Sequence, residues 1–500
     1  MSIPLNRFPK SLLCLLYGGL VPLGFAPFNY FIFPILSLSL LFYSWLNTSP
    51  RQAFLCGYFF GLGMFAFGVN WLHISINLFG GANLVSSIFI TFLLVSFYAI
   101  FPALVGYASR RYFPCSTVSN LILTTPALWI VSEWLRSLGV IAFPWLHLAY
   151  SQIDSPYGSF APVVGVYGTG WITVVSAALL VSLFVLRSRK SMLALISLLL
   201  IYASSYLLKD KQWTDPKGVD ISVVLVQGGI PQELKWKPEY RQSSLDLYKS
   251  LSDPYWGSDL IIWPETAIPS YYHLALNFIE ELKSISRANS SELLAGILIK
   301  NLKTGEYYNS AILIGNTTDN YHKRRLVPFG EYLPLDALVR PILNILQIPM
   351  SDFSSGSQHK TILAGSNFNA GISICYEDVF GQQVIQALPK ADILVNISND
   401  AWFGNSVAPH QHLQMARMRA LETGRFMLRA TNTGITAIVD NTGKIVRQSK
   451  QFEANSIHAK VPLFQGQTPY SRFGDTPIII TMLLILTGVN RKVILKRFKS

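Results

Sequence analysis

The chain is 500 residues long, 51% hydrophobic and only 13% charged, against about 25% charged in an ordinary globular domain. That composition excludes a soluble protein and indicates an integral membrane protein. The net charge of +13 raises nucleic acid as a partner, but much of the excess sits in short loops between apolar runs and in the tail RKVILKRFKS, where basic residues set membrane orientation; without an aromatic-and-basic binding signature, no nucleic-acid partner is expected.

A bilayer crossing needs about 20 apolar residues. Seven such runs precede a long polar stretch, at about 11–28, 30–46, 54–74, 86–108, 119–137, 161–186 and 191–208, and an eighth follows it at about 476–490. Pro22 and Pro27 near the end of the first run predict a tight hairpin into the second. No small-residue cleavage site follows the first run, so a removed signal peptide is not expected. Arg7, Lys10, Arg51, Arg110, Arg111, Arg187, Arg189, Lys190, Arg491 and Lys492 all fall in loops on one side. The positive-inside rule makes that side cytoplasmic, together with both termini, and puts the polar stretch outside the cytoplasm.

Within the runs, Gly57, Gly61 and Gly63 predict close helix packing. Glu133 and Arg136, three apart on one helical face, are expected to neutralise each other. FPWLHLAYSQ, with Phe143, Trp145 and Tyr150, reads as an interfacial aromatic belt or as a surface touching a lipid substrate.

From about residue 220 the pattern changes. ISVVLVQGG, DLIIWPE, ELLAGILI, YYNSAILIG, FNAGISICYE, ADILVNISND and TAIVDNTG read as short β-branched strands ending in turn residues. YRQSSLDLYKSLS, HLALNFIEELKSISRAN and HLQMARMRALETGR read as helices between them. Alternating strands and helices predict an α/β domain. The expected division is a membrane domain over 1–208 with seven spans, a catalytic domain over 209–475, and a last span with a basic tail over 476–500.

Of the four cysteines, Cys14 and Cys56 lie in apolar runs and Cys115 in a short loop, leaving Cys375 alone in the polar stretch. There is no disulfide framework or zinc spacing, so neither a metal nor another cofactor is expected. A lone thiol is either a buried small hydrophobe or a nucleophile. Cys375 follows the apolar strand AGISI at a strand-to-turn junction, where sulfur can project into a cleft. The acidic neighbours Glu377 and Asp378 would raise its pKa unless they point elsewhere, so the nucleophile reading requires a nearby cation. Glu265 ends the strand of IIWPETAIP, stiffened by the preceding proline; it is a solvated turn residue or a base for the thiol proton. Lys323 in YHKRRLVPFGEYLP is part of a solvated basic face or, if turned inward, a donor to an oxyanion. Glu331, eight residues on, could orient Lys323 or support Glu265.

WPE, the lysine segment and the CYE strand resemble the Glu-Lys-Cys triad of the carbon–nitrogen hydrolase, or nitrilase, superfamily. QGGIPQELKW, YHKRRLVPFGEYLP, SICYED, ISNDAWFG and FPWLHLAYSQ resemble the membrane-bound apolipoprotein N-acyltransferase family over essentially the whole chain. The resemblance implies a four-layer αββα nitrilase-like sandwich in the periplasm, on about eight spans of the bacterial inner membrane. It implies an acyl chain passing from a phospholipid, phosphatidylethanolamine being the expected donor, to Cys375 as a thioester. The α-amino group of an S-diacylglyceryl-cysteine apolipoprotein then accepts it. Glu265 would be general base and acid, Lys323 the oxyanion stabiliser and Cys375 the nucleophile, with Glu331, Glu377, Tyr376 and Trp236 in support. Asp378 leaves the role of the turn after Cys375 open. A monomer is expected.

Two lipid-anchored substrates explain the tether, since holding the site at the surface replaces a three-dimensional search. LNILQIPMSDFSSGSQ reads as a mobile cover or an ordinary surface loop. Asn399, Asp400 and Trp402 line the cleft or cap the next element. His410 and His412, two apart, lack the spacing of a helical metal pair. Competing readings are a membrane-anchored nitrilase or amidase hydrolysing a small amide, disfavoured by the spans, and a transporter with an inactive binding module, disfavoured by few ionisable residues in the spans.

Overall fold

The computed structural model describes residues 10–113, 120–140, 142–185, 189–316, 318–334, 336 and 352–497. Most of the expected cover segment lies outside them. The chain forms two compact units, one of Met1–His73, Asn83–Lys211 and Phe473–Ser500, the other of Ile74–Ala82 and Gln212–Arg472.

The first unit is helical. Leu84–Arg111, Pro156–Val185 and Ser191–Lys209 are long and apolar enough to cross a bilayer, while Lys10–Gly24, Ile32–Trp45 and Thr476–Val489 are apolar but shorter. The run expected as one span at 54–74 is broken: Pro50–Gly68 and Leu72–Leu78 are bent by 56° and pass only as a pair. Among the described residues three helices meet that criterion by length and composition, or four if the bent pair is one span. Gly57 and Gly61 are packing positions, since an added Cβ would meet Pro102 O at 2.4 Å and Ala99 Cα at 2.6 Å.

Glu133 and Arg136 attract each other as expected, and each has further partners: Glu133 Oε1 accepts from Trp129 Nε1 and Leu148 N, and Arg136 Nη1 donates to the carbonyls of Phe143 and Trp145. Against expectation, the FPWLH loop is no exposed belt. Trp145 and Tyr150 are buried, with Trp145 packed on Trp71 and Phe143, because the loop carbonyls need internal donors.

The second unit is a sandwich of two sheets. Strands β1 (Asp215–Gln227), β2 (Leu260–Ile262), β3 (Ile268–Tyr271), β4 (Glu292–Lys300), β5 (Tyr307–Ile314) and β6 (Thr318–His322) belong to the first. β7 (Ile362–Ala364), β8 (Asn369–Ile374), β9 (Ile393–Ser398), β10 (Met427–Thr431), β11 (Ala437–Val439) and β12 (Ile445–Gln448) form the second. β13 (Asn455–Gln465) returns to the first, giving the orders β13-β1-β2-β4-β5-β6, with β3 on β4, and β12-β11-β10-β9-β8-β7.

Burial on both faces makes the strands near-continuous apolar runs. Val223, Leu225, Ile262 and Leu294 of the first sheet meet Ile372, Ile374, Val395, Ile397 and Leu428 of the second. The alternate residues Val224, Val226, Leu293 and Ala295 pack outward against Leu245 and Tyr248 of helix Pro238–Ser252 and Ile279 and Leu282 of helix Leu276–Ala288. Leu394 and Met427 pack outward against Leu413, Ala416 and Ala420 of helix Ala408–Thr423. The result is a four-layer αββα arrangement. β2 and β4 are parallel, β5 is antiparallel to β4 and β6 to β5, and β8, β9 and β10 are mutually parallel. The chain therefore leaves β2 and β6 at one end of the first sheet, and β8, β9 and β10 at one end of the second.

Candidate active site

Three singled-out residues follow directly from those strand ends. Glu265 lies three residues past β2, and the next residue, Thr266, has φ +48°. This turn presses against β4, where a Cβ on Gly296 would meet Thr266 N at 2.4 Å and Pro264 O at 2.5 Å; only glycine leaves room for the approach. Lys323 is the residue after β6, its N–H bonded to Asn309 O at 2.8 Å. Cys375 follows β8 and opens the 3-10 turn Cys375–Val379 with φ +51°, a left-handed conformation that a non-glycine residue adopts at a cost of about 1–3 kcal/mol.

Lys323 is turned inward. Its buried ammonium stands 2.7 Å from Glu331 Oε1 and 3.5 Å from Glu265 Oε1. Asn309 Nδ2 donates to the same two oxygens, at 2.7 Å to Glu265 and 3.2 Å to Glu331, and Val327 N donates to Glu331 Oε2. Burial opposes the charge on Lys323, but Glu331 and then Glu265 outweigh it and hold the ammonium protonated beyond the ordinary lysine range. Cys375 is half-buried. Burial and then the Glu265 carboxylate push its thiol up, against the pull of Lys323, so the resting sulfur is protonated. A thiol, a carboxylate and a fixed ammonium in electrostatic contact can deprotonate a nucleophile and receive an oxyanion.

The acidic neighbours of Cys375 point elsewhere. Glu377 is fully buried and accepts from Ile374 N, Arg324 N, Arg325 N, Tyr321 Oη and Gln383 Nε2, tying the lysine segment to the cysteine strand. Asp378 pairs with His412 and Arg429. Tyr376 is 9% exposed and packs edge-on against Phe380. Trp236 is 48% exposed. Asn399 makes no cap bond; it is buried, donating to Gln232 Oε1 and accepting from Asn432 Nδ2. Asp400 is also buried, in the ion-pair cluster with His412 and Arg429, while Trp402 is exposed, with its ring 4.8 Å from that of Phe79.

Two site residues escaped the sequence reading. Asn309 bridges both glutamates, and its one signal was an amide in the YYNS opening of β5, ahead of the apolar AILI. Lys235, buried in QELKW, donates to Glu265 O at 2.9 Å, and burial pushes it down to about 8.

The sandwich and the strand-end thiol, carboxylate and lysine define a carbon–nitrogen hydrolase domain, and the carbon–nitrogen hydrolase family model matches residues 223–467. The apolipoprotein N-acyltransferase N-terminal domain model matches residues 17–179 of the helical unit. Among similar curated proteins are apolipoprotein N-acyltransferases of Methylococcus capsulatus, 44% identical over 94% of this chain and 94% of the relative, and of Vibrio cholerae, 38% identical over 96% of each. Another, from Nitrosomonas europaea, is 39% identical over 97% of this chain and 98% of the relative. The chain belongs to the apolipoprotein N-acyltransferase family.

Proposed function

We propose that the chain moves a fatty acyl group from a membrane phospholipid to the α-amino group of a diacylglyceryl-cysteine apolipoprotein, through a thioester on Cys375. The observation that carries the reading is the inward Lys323 ammonium, shared by Glu265 and Glu331 beside the strained cysteine turn. Glu265 takes the thiol proton as sulfur attacks the ester carbonyl, and the Lys323 ammonium receives the oxyanion. The C–O bond then breaks, the leaving lysophospholipid oxygen takes the proton from Glu265, and the thioester remains. In the second half the acceptor amine attacks, a C–N bond forms, the C–S bond breaks, and the amine proton returns through Glu265 to sulfur. Glu331 fixes Lys323, Glu377 fixes the cysteine turn, and Tyr376, Trp236 and Asn399 serve the cleft.

The finer setting belongs to the same reading: phosphatidylethanolamine as donor, a monomer, residues 209–475 in the periplasm, and both termini in the cytoplasm of an inner-membrane protein. Few ionisable residues in the apolar runs and basic loops on one side support it. Incubating purified protein with phospholipid alone and weighing it intact tests the chemistry. A fatty-acyl increment removed by neutral hydroxylamine and absent in Cys375→Ala is expected. An increment that persists in Cys375→Ala excludes the mechanism.

A further inference from the structure

The turn that carries Cys375 is gripped from behind by a buried polar cluster to which the acyl-transfer steps assign no part. Asp378, three residues past the nucleophile, has Oδ2 2.8 Å from Arg429 Nη1 and Oδ1 2.9 Å from His412 Nε2. The same Arg429 Nη1 donates to Asn396 Oδ1, and Asn396 Nδ2 donates to the Cys375 carbonyl at 3.2 Å and to Ser373 Oγ at 3.0 Å. Arg429 Nη2 donates to Asp400 Oδ2 at 3.0 Å and stands 2.9 Å from His412 Nδ1, which lies 3.0 Å from Asp400 Oδ1. Asp378, Asn396 and Arg429 have no exposed surface.

We propose that Arg429 is a positioning residue for acyl transfer: directly through Asp378, and through Asn396 at the Cys375 carbonyl, it clamps both ends of the nucleophile turn in the left-handed conformation that aims sulfur at Glu265 and Lys323. A φ of +51° at cysteine persists only where its surroundings over-determine it. A planar guanidinium does so because its donors leave in fixed directions, which a lysine ammonium cannot reproduce. Arg429 sits in the middle of β10, parallel to β9 with Arg429 opposite Asn396, and β9 pairs with β8 so that Asn396 is opposite Ser373. Three adjacent strands thus relay one rigid fork to the residue that follows the third. The electrostatic pull between Arg429 and Cys375 agrees with this placement.

The inference rests on Cys375 carrying the acyl group, as proposed above. The two fail separately: loss of the hydroxylamine-sensitive increment in the wild type removes that reading, whereas this one is tested in variants of an active enzyme. Asn396→Ala cuts the relay to the Cys375 carbonyl and leaves the ion pairs intact. Arg429→Lys keeps the charge and loses the fork. For each full-length variant, acyl-enzyme formation from phospholipid is timed by intact mass, Cys375 alkylation by iodoacetamide is followed against pH by peptide mass, and Tm is recorded. Asn396→Ala is expected to form acyl-enzyme at least tenfold more slowly, with a displaced alkylation profile and a Tm within a few degrees of wild type. Arg429→Lys, where it folds, should behave at least as badly. A wild-type acylation rate and alkylation profile in Asn396→Ala overturns the proposal, as does full activity in Arg429→Lys.

Discussion

Replacing Lys323 by alanine separates what the lysine does for the reaction from what it does for the fold. The side chain is 1% exposed, with its ammonium 2.7 Å from Glu331 and 3.5 Å from Glu265. Removing one oxyanion donor costs about 3–4 kcal/mol of transition-state stabilisation, a fall of roughly 10²–10³-fold in acyl-enzyme formation. Removal also strands two carboxylates that share the Asn309 amide, and breaking a buried ion pair costs about 3–5 kcal/mol of stability. The stability loss comes from two carboxylates left as uncompensated like charges around one shared amide. Adding Glu331→Gln removes the repulsion without replacing the donor. The single variant should therefore show a depressed Tm, and the double variant a Tm near wild type but acylation still slowed about 10²-fold or more. Intact mass against time, with thermal unfolding in detergent, reads both. A double variant that acylates at the wild-type rate refutes the oxyanion role of Lys323.

Gly296→Ala drives a Cβ to within 2.4 Å of Thr266 N and 2.7 Å of Glu265 Cα, so overpacking of about 1–3 kcal/mol should shift the Glu265 turn and slow acyl-enzyme formation more than tenfold. A wild-type rate would show that this backbone need not be fixed. Glu377→Ala leaves the N–H groups of Ile374, Arg324 and Arg325 without their acceptor, at about 1–3 kcal/mol each. A loss of at least about 3 kcal/mol, or a Tm lower by about 6–12 °C, is expected; an unchanged Tm contradicts the tie between the two segments. Burial and Arg429 oppose charge on His412, but Asp378 and Asp400 outweigh them and raise its pKa. Its contribution to stability is then full below the ordinary histidine value of about 6.5 and lost as pH rises through the higher folded value. The Tm gap between wild type and His412→Gln should shrink with rising pH across that window; a gap independent of pH excludes the charge.

Glu265 and Cys375 stood out because each follows an apolar run with a group such a run does not need, whereas Lys323 follows the polar strand TDNYH and was singled out by its order between them and by the family resemblance. The sandwich was legible in the apolar runs themselves, since a strand buried on both faces spells its length in hydrophobics. What stayed hidden is non-local. Lys235 and Asn309 reach Glu265 from 30 and 44 positions away, and nothing in their own segments records that. Adjacency along the chain misled in the opposite direction. Glu377 and Asp378 come two and three positions after Cys375, yet the 3-10 turn rotates both away from the sulfur, so the feared pKa penalty from neighbours arises instead from burial and Glu265. The spacing of Glu133 and Arg136 announced their mutual attraction but not the loop carbonyls that Arg136 also holds, because side-chain periodicity says nothing about a following loop. Hydropathy could not register the bend between Gly68 and Leu72, as a single polar residue, Asn70, stands among the apolar ones there.

Charge counting explains why one ammonium with two carboxylates suits the proposed cycle. At rest the thiol is neutral, Glu265 and Glu331 are anionic and Lys323 is cationic, a net charge of about −1 for the group by ordinary ionisation. In the tetrahedral intermediate Glu265 holds the proton and is neutral, the oxyanion is anionic, and the net charge is the same. Negative charge has only moved from one neighbour of Lys323 to another. Because Glu331 stays ionised at 2.7 Å throughout, the ammonium keeps a fixed partner and need not reorient when Glu265 releases it. A buried site cannot rely on water to rearrange around a new charge, so an arrangement that conserves total charge avoids most of that cost. The raised thiol pKa fits the same logic. Sulfur gives up its proton only as an acyl carbonyl arrives to take the charge, and a resting thiolate is never stored where oxidants could find it.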